Sequence, residues 1–247
     1  MEYQPPAYID GPNGRIAYRQ REGAGPGIVW LGGFRSDMLG TKAGFIDEWA
    51  KHHGRAFLRF DYSGHGESDG VFEEGCIGEW AADAFAAFDA LTEGPQILVG
   101  SSMGGWIATL LAKARPERIA GIIFIAPAPD FTEKLMWPSF TEEQRATMLK
   151  EGRLEQPSDY SDEPEVLTMK LIEDGRNHQV MDGSVPIACP VRILQGMKDD
   201  AVPYAHALAF AAQLESDDVE ILLTKEGDHR LSEPPDLERL ATVLEGF

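Results

Sequence analysis

The sequence predicts an α/β protein in which helices flank a mostly parallel central sheet. Short apolar runs of strand length alternate with helical patterns along most of the chain. Within each run consecutive residues are apolar, rather than every second one. Such strands are buried on both faces, as happens when helices cover both sides of a parallel sheet. With 247 residues, the chain is near the upper size of one hydrophobic core, which suits one domain carrying an insertion.

The first element is a hairpin: residues 7–10 and 15–19 flank the turn residues Gly11-Pro12-Asn13-Gly14. Ahead of it, residues 1–6 are neither basic nor strongly apolar, as expected without a secretory leader. The glycine-rich connector 23–27 leads to a buried strand at 28–31. Further strands are expected at 56–60, 96–99, 119–126, 191–195 and 219–223. Between them, Ile77, Trp80, Ala84, Phe85, Phe88 and Leu91 repeat at helical spacing. Leu208, Ala211 and Ala212 do the same behind Pro203, which suits a first helical position.

The alternation breaks between 131 and 188. This stretch shows no convincing strand, carries 12 acidic and 6 basic residues, and has helical candidates at 141–151 and 163–174. It is too long for an ordinary connection between two strands. We expect a helical cap at 131–188 inserted into a core of 1–130 and 189–247. The apolar cluster Leu135, Met136, Trp137 and Phe140 suggests that the cap faces a pocket.

Composition excludes several classes. There are 22 Lys and Arg against 41 Asp and Glu, a net charge of −19. That disfavours nucleic acid and anionic membrane, which attract basic surface. Cys76 and Cys189 are too few for a disulfide framework and fit a reducing compartment. The longest apolar stretch, 119–126, is far short of a membrane span. A soluble, cytoplasmic protein is expected. No phosphate-binding loop occurs, and Gly23, Gly25 and Gly27 precede a strand instead of following one, so no nucleotide cofactor is expected. No paired His spacing suggests zinc, and Asp199-Asp200 lacks the further oxygens calcium needs, so no metal is expected.

The chemistry starts at Gly100-Ser101-Ser102-Met103-Gly104, between the strand 96–99 and the helical run 105–112. A strand-to-helix turn this tight tolerates only small residues two positions either side of the nucleophile, and it exposes the Ser102 hydroxyl. A serine needs a base. His52 and His53 end a helical pattern, His65 sits in a glycine-rich turn, His178 follows a cap helix and His206 lies within a helix. His229 alone follows the last strand, where catalytic groups of open α/β sheets collect. The orienting acid should follow the preceding strand, where Asp199 is the choice and Asp200 is left to solvent or a helix cap. The order Ser102, Asp199, His229 is that of the α/β-hydrolase fold rather than that of the chymotrypsin-like or subtilisin-like proteases. Gly32-Gly33-Phe34-Arg35 follows the strand 28–31, so the Phe34 and Met103 amides are the expected oxyanion donors. The loop 61–69 reads as structural first, with a pocket-wall role open.

These residues resemble the α/β-hydrolase superfamily over nearly the whole chain. The stretches Arg59-Phe60-Asp61-Tyr62-Ser63-Gly64, residues 94–106, Gly196-Met197-Lys198-Asp199-Asp200 and Asp228-His229-Arg230 resemble the mitochondrial ABHD group of protein depalmitoylases and acyl-glucuronide esterases. The resemblance implies Ser102 as nucleophile, Asp199 as orienting acid and His229 as base. It also suggests a bacterial relative, since this chain starts almost at its first strand and that group starts with a transit segment.

The expected function is hydrolysis of carboxylic esters or thioesters of apolar acyl groups, on a small molecule or an acylated protein. Arg35, Met136, Trp137 and Phe140 are the candidate substrate contacts, with Arg35 and Arg230 near the expected pocket mouth. Two alternatives stay open here: a carbon–carbon bond hydrolase with the same triad, and a non-catalytic binding protein on the same scaffold.

Overall fold

The structure, a computed structural model, describes residues 5–156 and 164–247. Residues 1–4, within the stretch where no secretory leader is expected, and Glu163, at the expected start of a helix, lie outside them.

The hairpin forms as β1 (Ala7–Gly11) and β2 (Gly14–Arg21), antiparallel with Gly11 opposite Gly14. Next come β3 (Ala24–Leu31), α1 (Thr41–His53), β4 (Arg55–Phe60), α2 (Ile77–Leu91), β5 (Gln96–Ser101), α3 (Met103–Ala114) and β6 (Ile119–Ile125). β3 starts inside the glycine connector, where the close approach of Arg55 leaves no room for a Cβ on Gly23.

The stretch 131–188 lies between β6 and β9. It opens on a wide helical turn, Thr132–Met136, that runs into the short α4 (Trp137–Ser139). α5 (Glu142–Glu151), β7 (Arg153–Gln156), β8 (Glu165–Thr168) and α6 (Met169–Asn177) follow. α5 has reciprocal capping between Thr141 and Gln144. β7 and β8 correct the expectation of no strand: they pair antiparallel, with Leu154 opposite Leu167. Each is four residues long with one buried side chain, too short for an alternating pattern to register. α6 accordingly starts at Met169, capped by the Thr168 hydroxyl, later than the helix expected from 163.

The chain closes with β9 (Val191–Gly196), α7 (Tyr204–Ala211), β10 (Val219–Thr224) and α8 (Pro234–Glu245). Pro203 is the N-cap of α7, one position before the helix it was expected to open.

Eight strands make one sheet in the order β1-β2-β4-β3-β5-β6-β9-β10. β2 runs antiparallel to both neighbours, and from β4 onward all pairings are parallel. Strand residues alternate between two buried faces. Ile28, Trp30, Ile97 and Val99 pack with Ile46 and Trp49 of α1 and Leu240 and Leu244 of α8. Val29, Leu31 and Leu98 pack with Trp80 of α2, Trp106 of α3 and Phe210 of α7. Full burial of such large side chains contributes about 1.5–3 kcal/mol each. From β3 the chain steps one way to β4, then returns past β3 to β5. The strand order therefore reverses between β3 and β5, and it is at such a reversal, outside the carboxyl ends of the strands, that open α/β sheets place the crevice for their ligands.

Candidate active site

Ser102 stands at that reversal, between the last residue of β5 and the first of α3. Its backbone lies at φ 53°, ψ −118°, a conformation that costs a non-glycine residue energy and persists only where its surroundings enforce it. Here they do. A Cβ on Gly104 would fall 2.0 Å from the Leu31 carbonyl oxygen, and one on Gly100 would fall 2.5 Å from the Gly104 oxygen. Strand, turn and helix thus pack with no side chain between them. The Ser102 amide donates to the Ile125 carbonyl (2.9 Å) and the Ala128 amide to the Ser102 carbonyl (3.1 Å), which ties the turn to the end of β6.

The loops after β9 and β10 converge on this serine. His229 Nε2 lies 3.0 Å from Ser102 Oγ, and His229 Nδ1 lies 2.8 Å from Asp199 Oδ2. The Asp199 side chain has no exposed surface, whereas that of His229 is 25% exposed. Asp199 Oδ1 accepts from the amides of Ala201 (3.0 Å) and Val202 (2.7 Å), and Oδ2 also accepts from Gln195 Nε2 (3.0 Å). With every other position around the carboxylate taken by a donor, the proton between it and the imidazole belongs on Nδ1. Nε2 is then the acceptor facing the Ser102 hydroxyl. Asp200 is exposed.

The other histidines lie elsewhere. His52 and His53 bond back to the Glu48 and Trp49 carbonyls, His206 to the Pro129 carbonyl, and His178 faces Asp174. His65 is buried among Tyr62, Phe72 and Trp80. Burial pushes its imidazole down to about 4.

The loop Gly32-Gly33-Phe34-Arg35 lies against the turn, since a Cβ on Gly33 would sit 3.4 Å from the Ser102 Cβ. Met103 opens α3, so its amide is among those a helix leaves without an internal partner. Tyr62 donates to the Gly32 carbonyl (3.3 Å), and the buried Asp61 accepts from the amides of Met38 (2.6 Å) and Glu67 (2.9 Å). Burial outweighs those two donors and pushes the Asp61 carboxyl up to about 6. The loop 61–69, expected to be structural, thus braces the β3 loop.

The expected substrate contacts are spread out. Arg35, at φ 56°, donates to the Val166 carbonyl of β8 (3.2 Å), approaches Glu165 at 4.0 Å and stacks 4.2 Å from the Phe72 ring. Trp137 is partly buried, with Arg145 and Arg176 at 5.8 and 5.2 Å from its ring. Met136 packs partly buried against the core, and Phe140 is inside it. Phe34 makes edge-to-face contacts with Phe72, Trp80 and Phe131 at 4.9, 5.9 and 5.7 Å.

Two neighbours of the site had been missed. Gln195 is fully buried and donates to Asp199; its signal was a lone amide in an apolar strand just before the acid. Lys42 of α1 donates to the Arg230 carbonyl beside His229, and no local pattern marked it. Among the described residues no group of three or more His, Cys, Asp or Glu could hold a metal. Nor is any helix among them long and apolar enough to cross a membrane.

Residues 29–185 match the family described as serine aminopeptidase, S33. The chain belongs to the α/β-hydrolase superfamily. It is a serine hydrolase. This α/β hydrolase is 39% identical over 239 residues to the mitochondrial palmitoyl-protein thioesterase ABHD10 of Bos taurus, covering 96% of this chain and 76% of that one. The human protein of the same name is also 39% identical, over 237 residues, with the same coverage. Among solved structures, a protein from Agrobacterium vitis S4 superposes with a TM-score of 0.93 at 44% identity, covering 98% of this chain and 97% of that one. Mouse alpha/beta hydrolase domain-containing protein 10 does so with a TM-score of 0.90 at 36% identity and the same coverage.

Proposed function

We propose that this hydrolase cleaves carboxylic esters and thioesters of apolar acyl groups through a Ser102–His229–Asp199 triad and an acyl-enzyme. The observation that carries the reading is the imidazole of His229 bridging Ser102 Oγ and Asp199 Oδ2 at 3.0 and 2.8 Å. His229 Nε2 takes the Ser102 proton as Oγ attacks the acyl carbon, and Asp199 stabilises the imidazolium that forms. The Phe34 and Met103 amides receive the oxyanion. As the tetrahedral intermediate collapses, His229 returns the proton to the departing alcohol or thiol. Water then attacks the Ser102 ester with His229 again as base.

The relatives named as palmitoyl-protein thioesterases support a thioester, with a small molecule or an acylated protein as carrier. The stretch 131–188 serves in this reading as a cap over the crevice. Phe34 from the core and Met136, Trp137 and Phe140 from the cap bury the acyl chain, and Arg35 stands at the mouth.

A fluorophosphonate should label Ser102, and Ser102→Ala should lower kcat by roughly 10⁴- to 10⁶-fold in a folded protein. On p-nitrophenyl esters and acyl thioesters of rising chain length, kcat/KM should climb by up to about fourfold per methylene, the equivalent of ~0.8 kcal/mol. Labelling at Ser101, or unchanged activity in Ser102→Ala, would refute the nucleophile.

A further inference from the structure

The turn that carries His229 is short and strained. Gly227 donates to the Thr224 carbonyl at the end of β10 (3.1 Å), and Asp228 Oδ1 accepts from the Leu231 amide (2.9 Å). Leu231, two residues past the histidine, is in the left-handed region at φ 45°. A leucine does not hold that conformation unaided. Its side chain is buried against the core face formed by α1 and α8, 5% exposed, which anchors one side of the turn.

The other side is held from a distance in sequence. Lys42, in the first turn of α1, donates its ammonium to the Arg230 carbonyl and approaches Ser232 Oγ at 3.4 Å. The Ser232 hydroxyl donates to that same carbonyl at 3.0 Å. Lys42 follows the β3 loop by only seven residues, and the intervening Met38 amide is fixed by Asp61. One ammonium therefore links the side of the crevice holding Phe34 to the side holding His229.

We propose that Lys42 is a positioning residue for the reaction: its ammonium fixes the Arg230 carbonyl so that the His229 turn keeps its imidazole aimed at Ser102 Oγ. The proposal rests on His229 being the base. Lys42 Nζ bonds the Arg230 carbonyl and approaches Ser232 Oγ, not Ser102 Oγ or the His229 ring, so its loss should move the imidazole, leaving binding intact. A displacement of about 1 Å in such a group is enough to cost on the order of 100-fold. The ammonium is also poised to lose its proton. Burial holds Lys42 down to about 8, aided by the Arg230 cation and opposed by Asp228 and Asp236. A neutral amine grips a carbonyl less firmly than an ammonium does.

The test uses the full chain with p-nitrophenyl acetate as substrate. Lys42→Met should lower kcat by about 10- to 100-fold, leave KM within about twofold and slow fluorophosphonate labelling of Ser102 by the same factor as kcat. Lys42→Arg, which keeps a charged donor, should restore most of kcat and carry activity to higher pH than the unaltered enzyme, whose kcat should fall as Lys42 loses its proton at about 8. If Lys42→Met does not fold, Lys42→Gln carries the same kcat and KM comparison. A kcat within about twofold of the unaltered enzyme overturns the proposal, and so does a loss carried by KM alone. His229→Ala is measured alongside. If it keeps its activity, the base assignment itself falls; if it is inactive while Lys42→Met is fully active, only the role of Lys42 falls.

Discussion

Asp199 and Asp200 are adjacent in the chain and opposite in environment. Asp199 is buried and accepts from two backbone amides, the Gln195 side chain and His229, whereas Asp200 is exposed. Replacing Asp199 by Asn puts an NH2 group among donors and turns the imidazole toward the wrong tautomer. Asp199→Asn should therefore cost about 10⁴-fold in kcat. Asp200→Asn should stay within about twofold. Steady-state rates of the two variants on one p-nitrophenyl ester decide this, and the reverse ranking would transfer the role to Asp200. The glycines of the serine turn yield a second contrast. At Gly104 an added methyl meets the backbone oxygens of Leu31 and Gly32 at 2.0 and 2.6 Å, which cannot yield without parting β3 from α3. Gly104→Ala should destabilise the fold by about 3 kcal/mol or more, at the upper end of what overpacking costs. At Gly33 the nearest atoms lie at 3.3 and 3.4 Å, so Gly33→Ala should cost under about 1 kcal/mol. Urea unfolding of both measures the difference.

Among the elements, the stretch 131–188 sets up the substrate prediction. Its far end is tied to the residue that precedes it, because the buried Asp130 carboxylate accepts from the Val180 and Met181 amides at 2.8 Å each. If Trp137 contacts the acyl chain, Trp137→Ala should flatten the rise of kcat/KM with chain length while acetate esters keep most of their rate. Equal losses on acetate and octanoate would remove the segment from acyl binding. This is also the region least legible in sequence. The parallel strands could be read because each is a run buried on both faces, and Ser102, Asp199 and His229 because each follows its own strand. The β7–β8 ribbon could not: Arg153–Gln156 and Glu165–Thr168 are mostly polar, and their pairing depends on contacts with α5 and α6 that no local pattern encodes. Lys42 was hidden for the same reason, since its partners stand 188 and 190 residues away. Gln195 was visible as a polar residue in an apolar strand and was read only as the end of that strand.

At the scale of the whole molecule, the response to acid turns on two groups buried under the β3 loop with opposite signs. Asp61 ionises at about 6 in the folded protein, because burial disfavours its charge, and near 3.9 when unfolded. Between those values the folded state holds a proton that the unfolded state has lost, so this group's contribution to stability falls as pH rises. His65 is the reverse case. Burial lowers it to about 4, against about 6.5 unfolded, so across that window the unfolded state binds the extra proton and stability rises with pH. Each contribution amounts to about 3 kcal/mol over its window, at ~1.4 kcal/mol per unit. In the unaltered protein they largely cancel between pH 4 and 6. Asp83 and Asp130, also raised by burial, add to the fall, and the net charge of −19 adds a self-repulsion that relaxes on acidification. Those background terms are nearly common to variants and drop out of a comparison. Asp61→Asn should lower stability at every pH, because an amide cannot accept from both the Met38 and Glu67 amides without turning its NH2 group on one of them. From pH 4.5 to 6.5 it should nonetheless gain about 2 kcal/mol on the unaltered protein, because the His65 rise is then unopposed. His65→Asn should lose a similar amount over the same interval. Urea midpoints at the two pH values measure both slopes, and parallel slopes for the three proteins would mean that neither side chain changes its proton affinity on folding.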